Sequence, residues 1–322
     1  MPRWMEIGSA IVLGMSPLLT SAQTYPAKPV RLIVPYPPGG PTDFVGRSIA
    51  QKLTEAWGQQ VVVENRAGAA SAVGTEVAAR SAPDGYTLLL GTSAGFCINP
   101  ALGGKIPYDA ERDFAPISLL VINPQILVVH PSLPVHSVKA LIALAKSRPG
   151  QINYASVGNA SPQHLGMEML KSMSGINMVH VPYKGTAPAI TDILAGNVSL
   201  MFNSMPSVLS QVNSGKLRGI AVGSAKRSPA APHIPTVAEA GVPGFEYVTW
   251  YGLFAPAGTA REIVNRLHVQ VVKILADPEI AKRFASQGAE PLSNTPEQLA
   301  QYRRAEFERW RKLIAELKLR VE

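Results

Sequence analysis

The chain has 322 residues, 46% of them hydrophobic and 16% charged, with a formal net charge of +8 and a single cysteine, Cys97. Such a balance excludes a disordered or fibrous chain, the length accommodates two domains with their own cores, and one cysteine excludes an internal disulfide or a Cys-rich zinc site. The cations are scattered: only Arg303, Arg304, Arg309, Arg311 and Lys312 fall close together, interrupted by Glu306 and Glu308, which reads as a solvated helix face and not as a nucleic-acid surface.

Residues 1–22 carry Arg3, an apolar run over 7–19 interrupted by Pro17, and a small-residue ending at Thr20, Ser21 and Ala22. This is the pattern of an export signal cleaved near Ala22, since a spanning helix needs about 18 to 20 apolar residues. The apolar run from Val30 to Val34 then predicts a strand. It is followed by an elbow of Pro35, Tyr36, Pro37, Pro38, Gly39, Gly40 and Pro41, and by apolar residues at helical spacing over 44–53. Thr42 or Asp43 is the expected N-cap. An elbow of this kind reads either as a well-made turn or as an anion site built from the amides of a helix N-terminus. No P-loop lysine follows, and there is no GxGxxG.

A second strand is expected over 60–64, a helix over 72–80, a turn at Pro83-Asp84-Gly85 and a third strand over 86–91. Thr92 and Ser93 lie just past that strand's carboxyl end, where open α/β sheets bind ligands. Residues 106–114 read as loop, and 117–130 as two apolar runs broken by Asn123-Pro124, an extended segment able to carry the chain between domains. A second series follows, with a helix over 138–147, a strand over 152–155, a loop over 156–161 opening a helix to 170, and a strand over 178–181 ending at Tyr183. A helix over 187–194, a strand over 198–202 delivering Asn203 and Ser204, and a strand over 217–222 complete it. The aromatic segment 247–256 suits a return crossing, and helices close the chain over 260–276, 278–287 and 296–315.

Two α/β lobes result, one formed by residues 23–124 and 248–322 and the other by 125–247, joined by two crossover strands around a cleft. The Gly39-Gly40 loop then faces the Ser156 to Ser161 loop, and two helix N-termini converge, which favours an anion. Chemistry has little to work with. His130, His136, His164, His180, His233 and His268 read as packing or surface residues, and no GxSxG surrounds a serine. Asp43 and Asp192 read as a helix cap and a surface or cleft residue. Tyr36, Tyr183 and Trp250 are candidates to wall a ligand. Binding without catalysis, metal or cofactor is the expectation.

Eight collinear blocks support this reading. They include Pro35 to Asp43 with Arg47, Val63-Glu-Asn-Arg66, Pro83 to Leu89, Asn153-Tyr-Ala-Ser156, Val179 to Gly185, Ser224 to Pro229, Ile234 to Gly241 and Ala255-Pro-Ala-Gly258. Together they resemble the Bug-type receptors of tripartite tricarboxylate transporters. The resemblance implies a periplasmic, monomeric receptor of the type II periplasmic-binding-protein fold that closes on a small carboxylate, without catalysis, and delivers it to membrane transporter subunits or to a sensor protein. An exported enzyme acting on an anionic substrate is the alternative. Position by position, the resemblance points to Tyr36, Gly39, Gly40, Thr42 and Asp43 in the first loop and to Ser156, Gly158, Asn159 and Ser161 in the second. Ser93, Tyr183, Asp192 and Asn203 complete the implied pocket. Two departures stand out. Ala67-Gly-Ala-Ala-Ser71 replaces a Pro-Gly-Ala-Gly-Gly run, which is expected to stiffen or narrow that loop. Asn203 replaces a frequent Asp, which is expected to favour a mono- or dicarboxylate over an amino acid.

Overall fold

The computed structural model describes residues 25–316; the expected export signal and its cleavage near Ala22 lie outside the described residues. The chain order is β1 (Val30–Val34), α1 (Pro41–Trp57), β2 (Val61–Asn65), α2 (Ala72–Ala79), β3 (Thr87–Thr92), a π-helical turn at Ala94–Ile98, the short α3 (Asn99–Ala101) and β4 (Phe114–Val129). Then come α4 (Val138–Ser147), β5 (Asn153–Ser156), α5 (Pro162–Ser174), β6 (Val179–Pro182), α6 (Thr186–Leu194), β7 (Leu200–Ser204), α7 (Met205–Asn213) and β8 (Arg218–Val222). The chain closes with β9 (Val248–Pro256), α8 (Arg261–Leu275), α9 (Pro278–Ala285), β10 (Glu290–Pro291) and α10 (Pro296–Glu316).

Two sheets share β4. In the first, β1 pairs in parallel with β2 and β3, while β9 runs antiparallel between β3 and the first half of β4, whose other edge takes β10. In the second, the rest of β4 runs antiparallel to β7 and β8, and β5 pairs in parallel with β6 and β7. The change of partner is abrupt. Pro124 opposes Val248 of β9, and the next residue, Gln125, opposes Ser204 of β7. Asn123-Pro124 therefore does not break an apolar segment in two, as its sequence suggests. It sits inside one 16-residue strand, at the point where pairing passes from sheet to sheet and a missing proline N–H costs least.

The N-cap of helix α1 lies two or three residues before the expected Thr42 or Asp43. Gly40 is the N-cap, in extended conformation (φ −88°, ψ 174°), and Pro41 takes the first helical position, where its lost N–H has no helical partner in any case. Gly58 ends α1 and Gly175 ends α5, both left-handed at φ 65° and 61°. The core runs along both faces of the sheets. Trp250, Phe254 and Phe96 pack beneath α10 together with Tyr247 and Trp310, α1 and α8 cover the other face of the first sheet, and α6 and α7 that of the second. Helix α10 is only partly a solvated face: Arg303 and Glu306 are buried in it, and Arg303 donates to the Ala110 carbonyl. Arg304, Arg309 and Arg311 pair with Glu111, Glu306 and Glu308.

Candidate functional site

Between the two sheets lies a cavity of about 150 Å³. The first sheet contributes Tyr36 after β1, Pro41 and Thr42 at the start of α1, Thr92, Ser93 and Ala94 after β3, and Thr249 and Tyr251 of β9. From the second side come Val157, Pro162 and Gln163 around the start of α5, Thr186 opening α6, and Ser204 and Ser207 opening α7, with Gln125 supplied by the shared strand β4. Four α-helices thus begin around one chamber, α1 on one side and α5, α6 and α7 on the other. The first-turn amides of a helix have no helical acceptor and carry partial positive charge, and none of these lining residues is charged. The chamber is therefore an uncharged shell of amides and hydroxyls suited to an anion. The Tyr36 phenol is pushed up by burial and by neighbouring Tyr251, so it stays a neutral donor.

Pro41 and Ser207 also border an adjoining cavity of about 260 Å³, with Gly39, Gly40, Asn123 and Gln287 in its wall. Of the residues singled out from sequence, Tyr36, Thr42 and Ser93 line the first chamber, and Gly39 and Gly40 line the second. Asp43, Ser156, Gly158, Ser161, Tyr183 and Asp192 brace the loops from outside the two walls, and Trp250, a candidate to wall a ligand, is packed in the core beneath α10 instead. Asp43 is buried and accepts from the Gly39 amide (3.0 Å), Arg47 Nε (2.8 Å) and Asn65 Nδ2 (2.9 Å). Burial alone would raise its carboxyl, but Arg47, the Gly39 amide and Asn65 together outweigh it and hold the group below the usual carboxylate range. Asn65 also donates to the Tyr36 carbonyl at 3.0 Å, so Asp43, Arg47 and Asn65 form the frame of the first loop.

The second loop is framed in the same manner. Ser156 Oγ accepts from the Gly158 amide (3.1 Å) and lies 2.6 Å from His180 Nε2, while Ser161 caps α5 by accepting from the His164 amide (3.3 Å). The Ala160 amide donates to His164 Nδ1 at 3.1 Å. Asn159 is exposed at the tip of the loop, between Gly158 at φ 133° and Ala160 at φ 55°. Tyr183 donates its hydroxyl to Asp192 Oδ2 at 2.7 Å and is pushed up to about 12 by burial and by that carboxylate. The Tyr183 amide also donates to the Ser156 carbonyl at 3.0 Å. Asn203 is buried, its Oδ1 accepting from the Ser204 amide at 2.8 Å and its Nδ2 turned to Met201 Sδ.

Sequence reasoning missed Gln125, Gln163, Thr186, Ser207, Thr249 and Tyr251. Gln125 is fully buried: Nε2 donates to the Asn123 carbonyl (3.2 Å) and to Thr249 Oγ1 (3.1 Å), while Oε1 has no partner among the described residues. Gln163 Oε1 and both amide atoms of Asn123 are likewise buried without partners. Such groups cost free energy and mark places where a further polar group belongs. The loop after Asn65-Arg66 departs from ordinary backbone: Ala69, Ala70 and Ser71 follow Gly68 at φ 43°, 48° and 81°. Among the described residues no group of three or more His, Cys, Asp or Glu is placed to hold a metal.

Residues 45–319 match the model of the "Tripartite tricarboxylate transporter family receptor". The protein BugT of Bordetella pertussis is 41% identical over 297 residues, covering 92% of this chain and 91% of that one. Among solved structures, R. palustris Rpa4515 with adipate superposes with a TM-score of 0.85 at 36% identity, covering 92% of this chain and 99% of its own. The periplasmic binding protein BugD gives a TM-score of 0.81 at 37% identity, covering 92% of this chain and 100% of its own. The fold is therefore the type II periplasmic-binding-protein fold expected from the resemblance, and the chain belongs to the tripartite tricarboxylate transporter receptor family, whose members are solute-binding receptors and not enzymes.

Proposed function

We propose that this protein is a periplasmic receptor that captures a small carboxylate in the chamber between its two sheets, closes on it by a hinge, and presents it to membrane transporter subunits. The observation that carries this reading is the meeting of four helix N-termini around one uncharged chamber, α1 from one side and α5, α6 and α7 from the other. There a carboxylate gains amide and hydroxyl donors without a competing cation or anion. Two relatives support it by name, one solved with adipate and one called a periplasmic binding protein. Tyr36, Thr42 and Ser93 would contribute hydroxyls, and the backbone amide of Gly40 would close the mouth, while that of Gly39 stays bonded to Asp43. Asp43, Ser156, Gly158, Ser161, Tyr183, Asp192 and Asn203 would act by holding the loops, with Asn159 at their rim.

Among the described residues only β4 and β9 carry the chain from one sheet to the other, at Pro124–Gln125 and Val248. This supports lobes of residues 23–124 with 248–322, and of 125–247, with a pivot beside the Gln125–Thr249 hydrogen bond. A ligand touching both lobes favours the closed state by its differential affinity.

A thermal-shift screen of mono-, di- and tricarboxylates tests the reading. A ligand at 100 times its dissociation constant adds about 2.7 kcal/mol of stability, so at least one carboxylate should raise the melting temperature in a saturable way. No shift with any of them would overturn the proposal.

A further inference from the structure

We infer that Gln125 selects for a hydroxyl on the bound carboxylate, so that the ligand class is a hydroxy-carboxylate. The inference rests on the carboxylate reading of the chamber and extends it to the rest of the ligand. Three observations carry it. Gln125 is fully buried and lines the chamber, and its Oε1 has no partner. The orientation of the amide is fixed, because Nε2 donates to the Asn123 carbonyl at 3.2 Å. A flipped amide would set two carbonyl-type oxygens against each other, so the atom left over, buried in the chamber's wall, is an obligate acceptor. Gln163, at the start of α5 in the opposite wall, presents a second buried and unpartnered Oε1.

A carboxylate at neutral pH has no proton to give and satisfies neither oxygen. A ligand that fits must therefore bring a donor beside its carboxylate. That donor is neutral, because the wall contains no carboxylate to balance an ammonium, while four helix N-termini add positive potential against one. Asp43 and Asp192, the nearest candidates by sequence, are spent on Arg47 and Tyr183 outside the wall. A hydroxyl donates to Oε1 at no charge cost. A ligand lacking it leaves a buried acceptor unpaired, and sites built around a ligand hydroxyl discriminate strongly for that reason.

Matched pairs measured by calorimetry on the full mature chain test this: malate against succinate, lactate against propionate, and aspartate as the ammonium counterpart of malate. The wild-type protein should bind the hydroxy member of a pair at least about tenfold more tightly than its plain partner, as one buried charge-free hydrogen bond allows, and should bind malate more tightly than aspartate. In Gln125→Met, or in Gln125→Leu should the first variant fail to fold, the hydroxy-to-plain ratio should collapse towards one. Equal binding of the pairs by wild type, a ratio that survives in a folded Gln125 variant, or a preference for aspartate would each overturn the inference. Succinate or propionate binding without hydroxyl preference, or no binding of any of these acids, defeats this inference alone; no shift with any carboxylate of the thermal-shift screen defeats the carboxylate reading and this inference with it.

Discussion

His164 and His180 stack face to face, with ring centroids 3.9 Å apart and planes 6° from parallel, and Tyr154 stacks against the pair with centroids 6.3 and 5.1 Å away. The stack stands behind the second loop and fixes it from two points, through the Ala160 amide on His164 Nδ1 and through Ser156 against His180 Nε2. Burial, and then the neighbouring His164, push His180 down to about 4; burial also lowers His164, against the pull of Glu168. Unfolded imidazoles titrate near 6.5. Between these values the unfolded chain binds more protons, so stability is full above about pH 6.5 and is lost as pH falls towards 4. Denaturant unfolding at pH 7.5, 6 and 4.5 should show that decline. His180→Gln, which removes one titrating ring, should flatten it. A wild-type profile flat over this range would contradict the account of the stack.

Three successive residues without glycine's freedom, Ala69, Ala70 and Ser71, take positive φ. The resemblance led us to expect a stiffer or narrower loop here. In the structure the chain adopts a left-handed path there with side chains that disfavour it, at a cost of about 1 kcal/mol or more per residue. Ala70→Gly should therefore stabilise the protein by up to about 1 kcal/mol, the relief of strain exceeding the added entropy of the unfolded chain. Chemical denaturation gives the sign, and a loss of stability would show that the left-handed path is not strained.

Asn123 is fully buried at the edge of the second cavity, with both amide atoms unpartnered. An apolar side chain of similar size removes that penalty, so Asn123→Leu should raise the stability of the ligand-free protein by about 1 kcal/mol. For a chain of this size that is a rise of about 2 °C in melting temperature. A fall in melting temperature would show that the amide is already satisfied.

Much of the architecture is legible in the sequence, because strand-forming apolar runs alternate with Pro- and Gly-marked loops and helical spacing. The site is legible only as far as its loops. Ser156 and Ser161 have the hydroxyls a carboxylate needs, yet Ser156 turns its own to the Gly158 carbonyl and His180 and Ser161 caps α5, while Asp43 is an acceptor that braces its own loop; which way they turn depends on left-handed residues such as Gly158 and Ala160 that spacing does not reveal. Gln125 and Thr249 escaped notice because each is one polar residue in a crossing strand, and they become a pair only through the register of β4 on β9. Helix α7, which brings Ser207 into the wall, opens on Met205-Pro206 with no side-chain cap to announce it. The family blocks bridge part of this gap, since they place the loops together without saying which atoms face inward.

Gly40 offers the most direct test of carboxylate capture in the cleft. Its φ of −88° suits any residue, and a Cβ added there meets no atom within 4 Å, so Gly40→Val should fold as the wild type does. The added isopropyl group would stand at the second cavity, beside Pro41, which borders both chambers. Calorimetric titration of wild type and Gly40→Val with the carboxylate that gives the largest thermal shift should show saturable binding in the first and none in the second. A folded Gly40→Val protein that binds with wild-type affinity would contradict the placement of the ligand.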